Sequence, residues 1–143
     1  MISMVQHGDI LLAIIIKRNY KSEGIKFFTP NHFSQQLGYM NRPAGYSIMP
    51  HLHNIIEREV KLTQEVLYVK TGLVRVDFYS SKKEYLESKI LQSGDIILLA
   101  DGGHGFKMLE DSEIIEIKQG PYSGDMDKTR FEPEKINALK YRN

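Results

Sequence analysis

The chain has 143 residues, near the commonest size for one domain and enough to bury a core without disulfides or a structural metal. Hydrophobic residues make up 41% and charged residues 26%, with 19 Lys and Arg against 18 Asp and Glu, so no overall field draws nucleic acid or an anionic membrane surface. Cysteine is absent, which excludes disulfides, thiolate metal sites, cysteine-ligated iron–sulfur clusters and a cysteine nucleophile.

The first element predicted is the apolar run Ile10–Lys17. It is rich in β-branched residues and its core, Ile10 to Ile16, is far shorter than the roughly 20 residues of a membrane span. His7 and Asp9 stand in front of it where a leader would carry basic residues. We expect a buried strand in a cytoplasmic protein. Because the run is apolar on both faces it needs cover on both, and a partner sheet in a homodimer is the expected source. Residues 30–37 read as one or two helical turns, with Phe33 and Leu37 four apart. Tyr46–His53 alternates around Pro50 and reads as a strand. Gln64–Lys70 and Leu73–Tyr79, separated by Thr71-Gly72, read as a hairpin. Strands are also expected at Tyr85–Leu91, Ile96–Leu99, His104–Leu109 and Ser112–Lys118, cut by Ser93-Gly94-Asp95, Asp101-Gly102-Gly103 and Glu110-Asp111. Beyond Pro121 the chain turns polar. Glu132–Leu139 reads as a short helix with Ile136 and Leu139 facing inward, stable only when docked. At least eight short strands at this spacing predict an all-β sandwich or barrel, as a single domain over 1–143.

The chemistry concentrates in the histidines. His51 and His53 are two apart, so on a strand they share a face. Glu65 opens a later strand, and His104 follows an apolar strand and a glycine-rich turn. Three imidazoles and a carboxylate form a nitrogen and oxygen donor set suited to a divalent first-row metal such as Fe, Mn, Ni, Co, Cu or Zn. His7 and His32 have no such spacing. His104, Phe106 and Met108 alternate on one face, so Phe106 and Met108 are candidates for the pocket lining, and Tyr68 and Tyr79 are candidates for presenting hydroxyls to a ligand, with surface or dimer contact as the alternative. Ile114, Glu116 and Lys118 share one face, opposite Ile115, Ile117 and Gln119. If the apolar set packs outward against another sheet or subunit, Glu116 and Lys118 point inward, where Lys118 can bind an anionic group or move a proton and Glu116 can shift its pKa. Lys128 and Arg130 lie close to Asp125 and Asp127 and read as solvated surface, with contact to a substrate phosphate or carboxylate as the alternative.

These histidines are framed by glycines in a pattern that resembles the cupin superfamily. Gly45 precedes His51 by five intervening residues, and Glu65 precedes Gly72 by six, as in that family's first motif; Gly94 and His104 fit its second motif with one residue fewer. The resemblance covers about residues 40–118, the core, and leaves 121–143 as a polar extension. Eleven residues separate His53 from Glu65, where the family has three or four, and the insert carries Glu57 and Glu59 as alternative carboxylates. Glu65 is preferred because its spacing to Gly72 is kept and because Glu65, Leu67 and Val69 share one strand face. Ala100 stands where proline is usual and Met108 where asparagine is common.

The resemblance implies a double-stranded β-helix, the jelly-roll or cupin barrel, with short peripheral helices, and a metal (Fe, Mn, Ni or Zn) held by His51, His53, Glu65 and His104. It further implies a small polar substrate, carbohydrate-like or an oxyacid, and a metal-dependent isomerase or epimerase. A non-haem iron dioxygenase and a non-catalytic metal- or sugar-binding module are the alternatives. No DNA-binding element and no membrane element is expected.

Overall fold

The computed structural model describes residues 1–142, apart from the side chain of Ile136. The protein is nearly all-β. Ten strands follow in order: β1 (Ile2–His7), β2 (Ile10–Ile16), β3 (Gly24–Phe27), β4 (Gly38–Asn41), β5 (Glu65–Thr71), β6 (Leu73–Tyr79), β7 (Tyr85–Gln92), β8 (Ile96–Leu99), β9 (Gly103–Met108) and β10 (Glu113–Lys118). They form three antiparallel sheets: β1-β2-β8-β5-β10, β7-β6-β9 and the small pair β3-β4. None closes into a barrel.

The two larger sheets enclose the main core. Val5, Leu12, Ile15, Leu67, Val69 and Ile97 from the first sheet meet Val74, Val76, Phe78 and Leu91 from the second. Along β6 the alternation is clean: Val74, Val76 and Phe78 face this core, while Arg75 and Asp77 face outward. There they join a buried polar seam in which Arg75 Nη2 donates to Asp77 Oδ2 at 3.0 Å and Ser88 Oγ donates to Asp77 Oδ1 at 2.5 Å.

The apolar run at the N-terminus is a buried strand, as its composition requires. Its second face is covered within the same chain. Ile14 and Ile16 pack with Leu37 and Leu98 beneath Tyr20, Phe28 and Phe33, and Tyr20 meets the rings of Phe28 and Tyr39 edge-on at 5.5 and 5.0 Å. The chain segment leading through β3 and β4 therefore supplies the cover for which a homodimer had been expected.

Three further expectations are corrected. The turn at Gly72 does not close a hairpin. It takes the chain from β5 in one sheet to β6 in the other, and β5 pairs instead with β8 and β10. Gly72 has a φ of 93°, and a Cβ there would collide with Ser112 and the carbonyl of Asp111, so the corner needs glycine on both counts. Residues 30–37 form turns, not a helix, because the Gln36 amide bonds the carbonyls of Pro30 and Phe33 and so competes with helical pairing. Tyr46–His53 is irregular and exposed, since no neighbouring strand accepts its backbone.

Among the described residues the C-terminal extension holds two short 3-10 turns, Gly124–Asp127 and Ile136–Ala138, and a parallel bridge from Tyr141 to Ser88. It binds along β6 and β7. Phe131 packs edge-on against Tyr79 at 4.9 Å, Glu134 N–H donates to the Tyr79 hydroxyl at 2.9 Å, and Ser88 N–H donates to the Lys140 carbonyl at 2.7 Å. Leu139 is half-buried; the inward orientation expected of Ile136 lies outside the described residues. No helix among the described residues is long and apolar enough to cross a membrane.

Candidate functional site

The sheets are joined at β9 and β10 by the short connection 109–112, and both strands end their sheets. The sandwich is therefore open on that side, and a cavity of about 850 Å³ lies there. Its wall from the first sheet is built by strand pairing. β10 runs antiparallel to β5 with Lys118 opposite Glu65 and Glu116 opposite Leu67. Directly opposed residues share a face, so Glu65, Glu116 and Lys118 all line the cavity. The second sheet contributes His104, Phe106 and Met108 from β9. Ile115 and Ile117, on the other face of β10, are exposed at 51% and 60%.

His104 and Glu65 come from different sheets, 39 residues apart, and meet at 2.7 Å between Nε2 and Oε1. Glu65 is buried. The hydrogen bond from His104 outweighs that burial and holds its carboxyl down to about 2, helped by Glu116 and by the charge of Lys118. Glu116 moves the other way: the hydrogen bond it shares with Glu65, its burial and the charge of Glu65 all raise its pKa. An ionised Glu65 can only accept. The Nε2 of His104 therefore carries a proton, and Nδ1 is the nitrogen with the available lone pair when the ring is neutral. The cavity thus presents an oriented imidazole, a carboxyl that retains its proton to higher pH, and the ammonium of Lys118.

Tyr79, one of the two tyrosines expected to offer a hydroxyl, lines the cavity, together with Phe131, Pro133 and Thr129, which the sequence reading did not single out, and with Lys128 and Arg130. The others reach it because the C-terminal extension folds back over Tyr79. Lys128 and Arg130, expected on the solvated surface, are thus at the cavity, although Arg130 also faces Asp125 at 3.4 Å. Tyr68 falls on the opposite face of β5 from Glu65 and Leu67 and is 38% exposed, so strand alternation takes it away from the cavity.

His51 and His53 stand next to each other with ring centroids 5.2 Å apart, and His51 Nδ1 is 2.9 Å from the Met49 carbonyl oxygen. They belong to the exposed stretch that includes Glu57 and Glu59, not to the cavity lining. Among the described residues no three His, Asp or Glu side chains are grouped so as to hold one metal ion. The four donors that the cupin resemblance implies stand as two separate pairs within one chain. As placed, they do not fit a metal bound by a single molecule, and no chemical step is derived through one.

No protein-family model matches the chain, and no curated protein and no solved structure is significantly similar to it.

Proposed function

We propose that the cavity is the active site of an isomerase or epimerase that moves a proton on a small polar substrate, carbohydrate-like or an oxyacid. The 2.7 Å pairing of His104 with Glu65 carries this reading, because it orients an imidazole as an acid–base group inside a walled space. His104 Nδ1 takes the proton from the carbon beside a substrate carbonyl. The Lys118 ammonium stabilises the oxygen as it gains charge, and Glu116, which retains its proton to higher pH, returns a proton to the neighbouring atom. Phe106 and Met108 give the substrate an apolar wall.

The cupin resemblance enters here as support. Strands β5 to β10, in the orders β8-β5-β10 and β7-β6-β9, are what six consecutive strands of a jelly roll would give. In that reading the stretch carrying His51 and His53 supplies the next strand beside β9, and the metal centre implied by the resemblance would form only once that strand is seated.

Solvent exchange tests the acid–base reading. Aldoses, ketoses and 2-oxo acids are incubated with the protein in deuterium oxide and followed by proton NMR. At least one should gain deuterium next to its carbonyl, and His104→Ala should lower that rate by about 100-fold or more. Saturable binding with no exchange in any compound would make the protein a binding module instead.

A further inference from the structure

A second cavity, of about 520 Å³, adjoins the first. Their walls have Lys61, Leu62, Thr63, Lys118 and Asp127 in common, so Lys118 stands between the two. Hydrogen bonds fix the second cavity's walls. Gln119 N–H donates to the Gln64 carbonyl at 2.9 Å, one step past the pairing of Lys118 with Glu65. Thr63 Oγ1 donates to Asp127, which joins the segment entering β5 to the 3-10 turn Gly124–Asp127. The Gln64 side chain accepts in turn from Ser34 Oγ at 3.3 Å and from Gln35 N–H at 3.1 Å.

The charge of this second cavity is one-sided. Arg58, Lys61 and Lys118 line it against the single carboxylate of Asp127, in a chain whose cations and acids almost balance. Among the described residues Arg58 and Lys118 make no direct ion pair. Lys61 lies 3.6 Å from Glu59, but that pair is 78% and 81% exposed, and such a pair is worth little in water. Lys128, next in sequence to Asp127, adds a further cation in the first cavity. Cations gathered around one concavity focus a positive potential into it, and an entering anion relieves their repulsion. A broad basic face would suit a polyanion or a membrane surface. A walled space of this size takes one anionic group and the few atoms attached to it.

We propose that the second cavity is a phosphate subsite, and that the molecule it anchors is a phosphorylated sugar or oxyacid whose carbonyl end lies in the first. Arg58 offers paired donors that match two phosphate oxygens, and the Lys61 ammonium neutralises further charge. Lys118, common to both walls, faces the phosphate on one side and the reacting carbonyl on the other. A phosphate monoester carries about −1.5 to −2 charge at neutral pH, which balances the excess of cations better than one carboxylate does. Glu116 lies two residues from Lys118 on the same face of β10, about 7 Å along the strand, a span that a short carbon chain covers. The carbonyl end of the ligand rests on the proposed acid–base reading; the phosphate subsite stands on the cations and the cavity.

Inorganic phosphate is the first probe, titrated into nitrogen-labelled protein at neutral pH and constant ionic strength and followed by amide NMR spectra. Saturable shifts are expected at residues 58–63 and 118–124. The double variant Arg58→Gln with Lys61→Gln, both exposed in the free protein, should weaken binding by about tenfold or more. His104→Ala should bind phosphate as the parent does. Shifts that never saturate, that spread equally to exposed lysines such as Lys82 and Lys83, or that survive the double variant would overturn the subsite. A phosphorylated aldose should bind more tightly than inorganic phosphate and should show a lower KM for solvent exchange than the same aldose without phosphate. Equal affinity for the free ion and the ester, or equal KM for the two aldoses, would overturn the phosphorylated ligand. Phosphate binding with no exchange in any compound leaves the subsite standing and removes the acid–base reading; exchange without phosphate binding does the reverse.

Discussion

Glu65 and Glu116 sit on one wall and contribute to folding with opposite sign. Glu65 is held at about 2, below the 4.5 of a free glutamate, chiefly by His104. Its contribution is complete above pH 4.5 and is lost as the pH falls toward 2. Glu116 is raised, chiefly by Glu65, so it begins to cost stability once the pH climbs past the ordinary glutamate value. In urea unfolding followed against pH, Glu65→Gln should be less stable than the parent at neutral pH by about 2 kcal/mol and should lose the acid limb between pH 4.5 and 2. Glu116→Gln should be more stable than the parent at neutral pH, with the difference fading below pH 4.5. A parallel pair of curves for either variant would remove the electrostatic account of the cavity.

At the scale of elements, one buried carboxylate fastens three strands. Asp95, in the turn before β8, is fully buried. It accepts from Lys17 Nζ at 2.9 Å and Arg18 N–H at 2.8 Å beyond the end of β2, and from Gln92 N–H at 3.0 Å at the end of β7. Removing it leaves two amides without partners and the Lys17 ammonium held by the Ile90 carbonyl alone. Asp95→Ala should therefore cost about 3 kcal/mol, read from chemical denaturation, whereas an exposed acid such as Glu59 should cost little when replaced. The sequence made most strands legible, because apolar alternation and glycine turns mark them locally. It missed β1, β3 and β4, which are short or thinly apolar. It also misjudged partners: the Thr71-Gly72 signal has the same chemistry whether the chain reverses within a sheet or crosses to another. Of the site, Glu65 and His104 were legible from donor type and glycine spacing, though as metal ligands, and Glu116 and Lys118 from strand parity. Tyr79 was a candidate on its hydroxyl alone, and Phe131 was not legible, since its place depends on how the C-terminal extension folds back. The strand expected at Tyr46–His53 failed because alternation describes what a segment can do once it has a neighbour, and this one has none in its own chain.

At the scale of the whole molecule, the C-terminal extension is both a cover and a wall. Besides Phe131 on Tyr79, Lys89 Nζ donates to the Arg142 carbonyl at 2.5 Å, and Lys140 N–H donates to the Tyr85 hydroxyl at 2.6 Å. A chain truncated after Lys128 loses these contacts and opens the cavity beside Tyr79. Its thermal midpoint should fall by about 4–8 °C, the equivalent of about 2 kcal/mol for a domain of this size. Near-ultraviolet circular dichroism of the tyrosines should change in parallel, while the far-ultraviolet β signal stays.

The pairing of β5 with β10 has a kinetic consequence. Glu65 faces Lys118 only after a loop of more than fifty residues has closed, and His104 reaches Glu65 only after the crossing at Gly72 has set one sheet on the other. Pairings so distant along the chain form slowly and late. No partly folded fragment can assemble these groups ahead of the rest, so during refolding the cluster should appear in step with the final cooperative phase, not with early collapse.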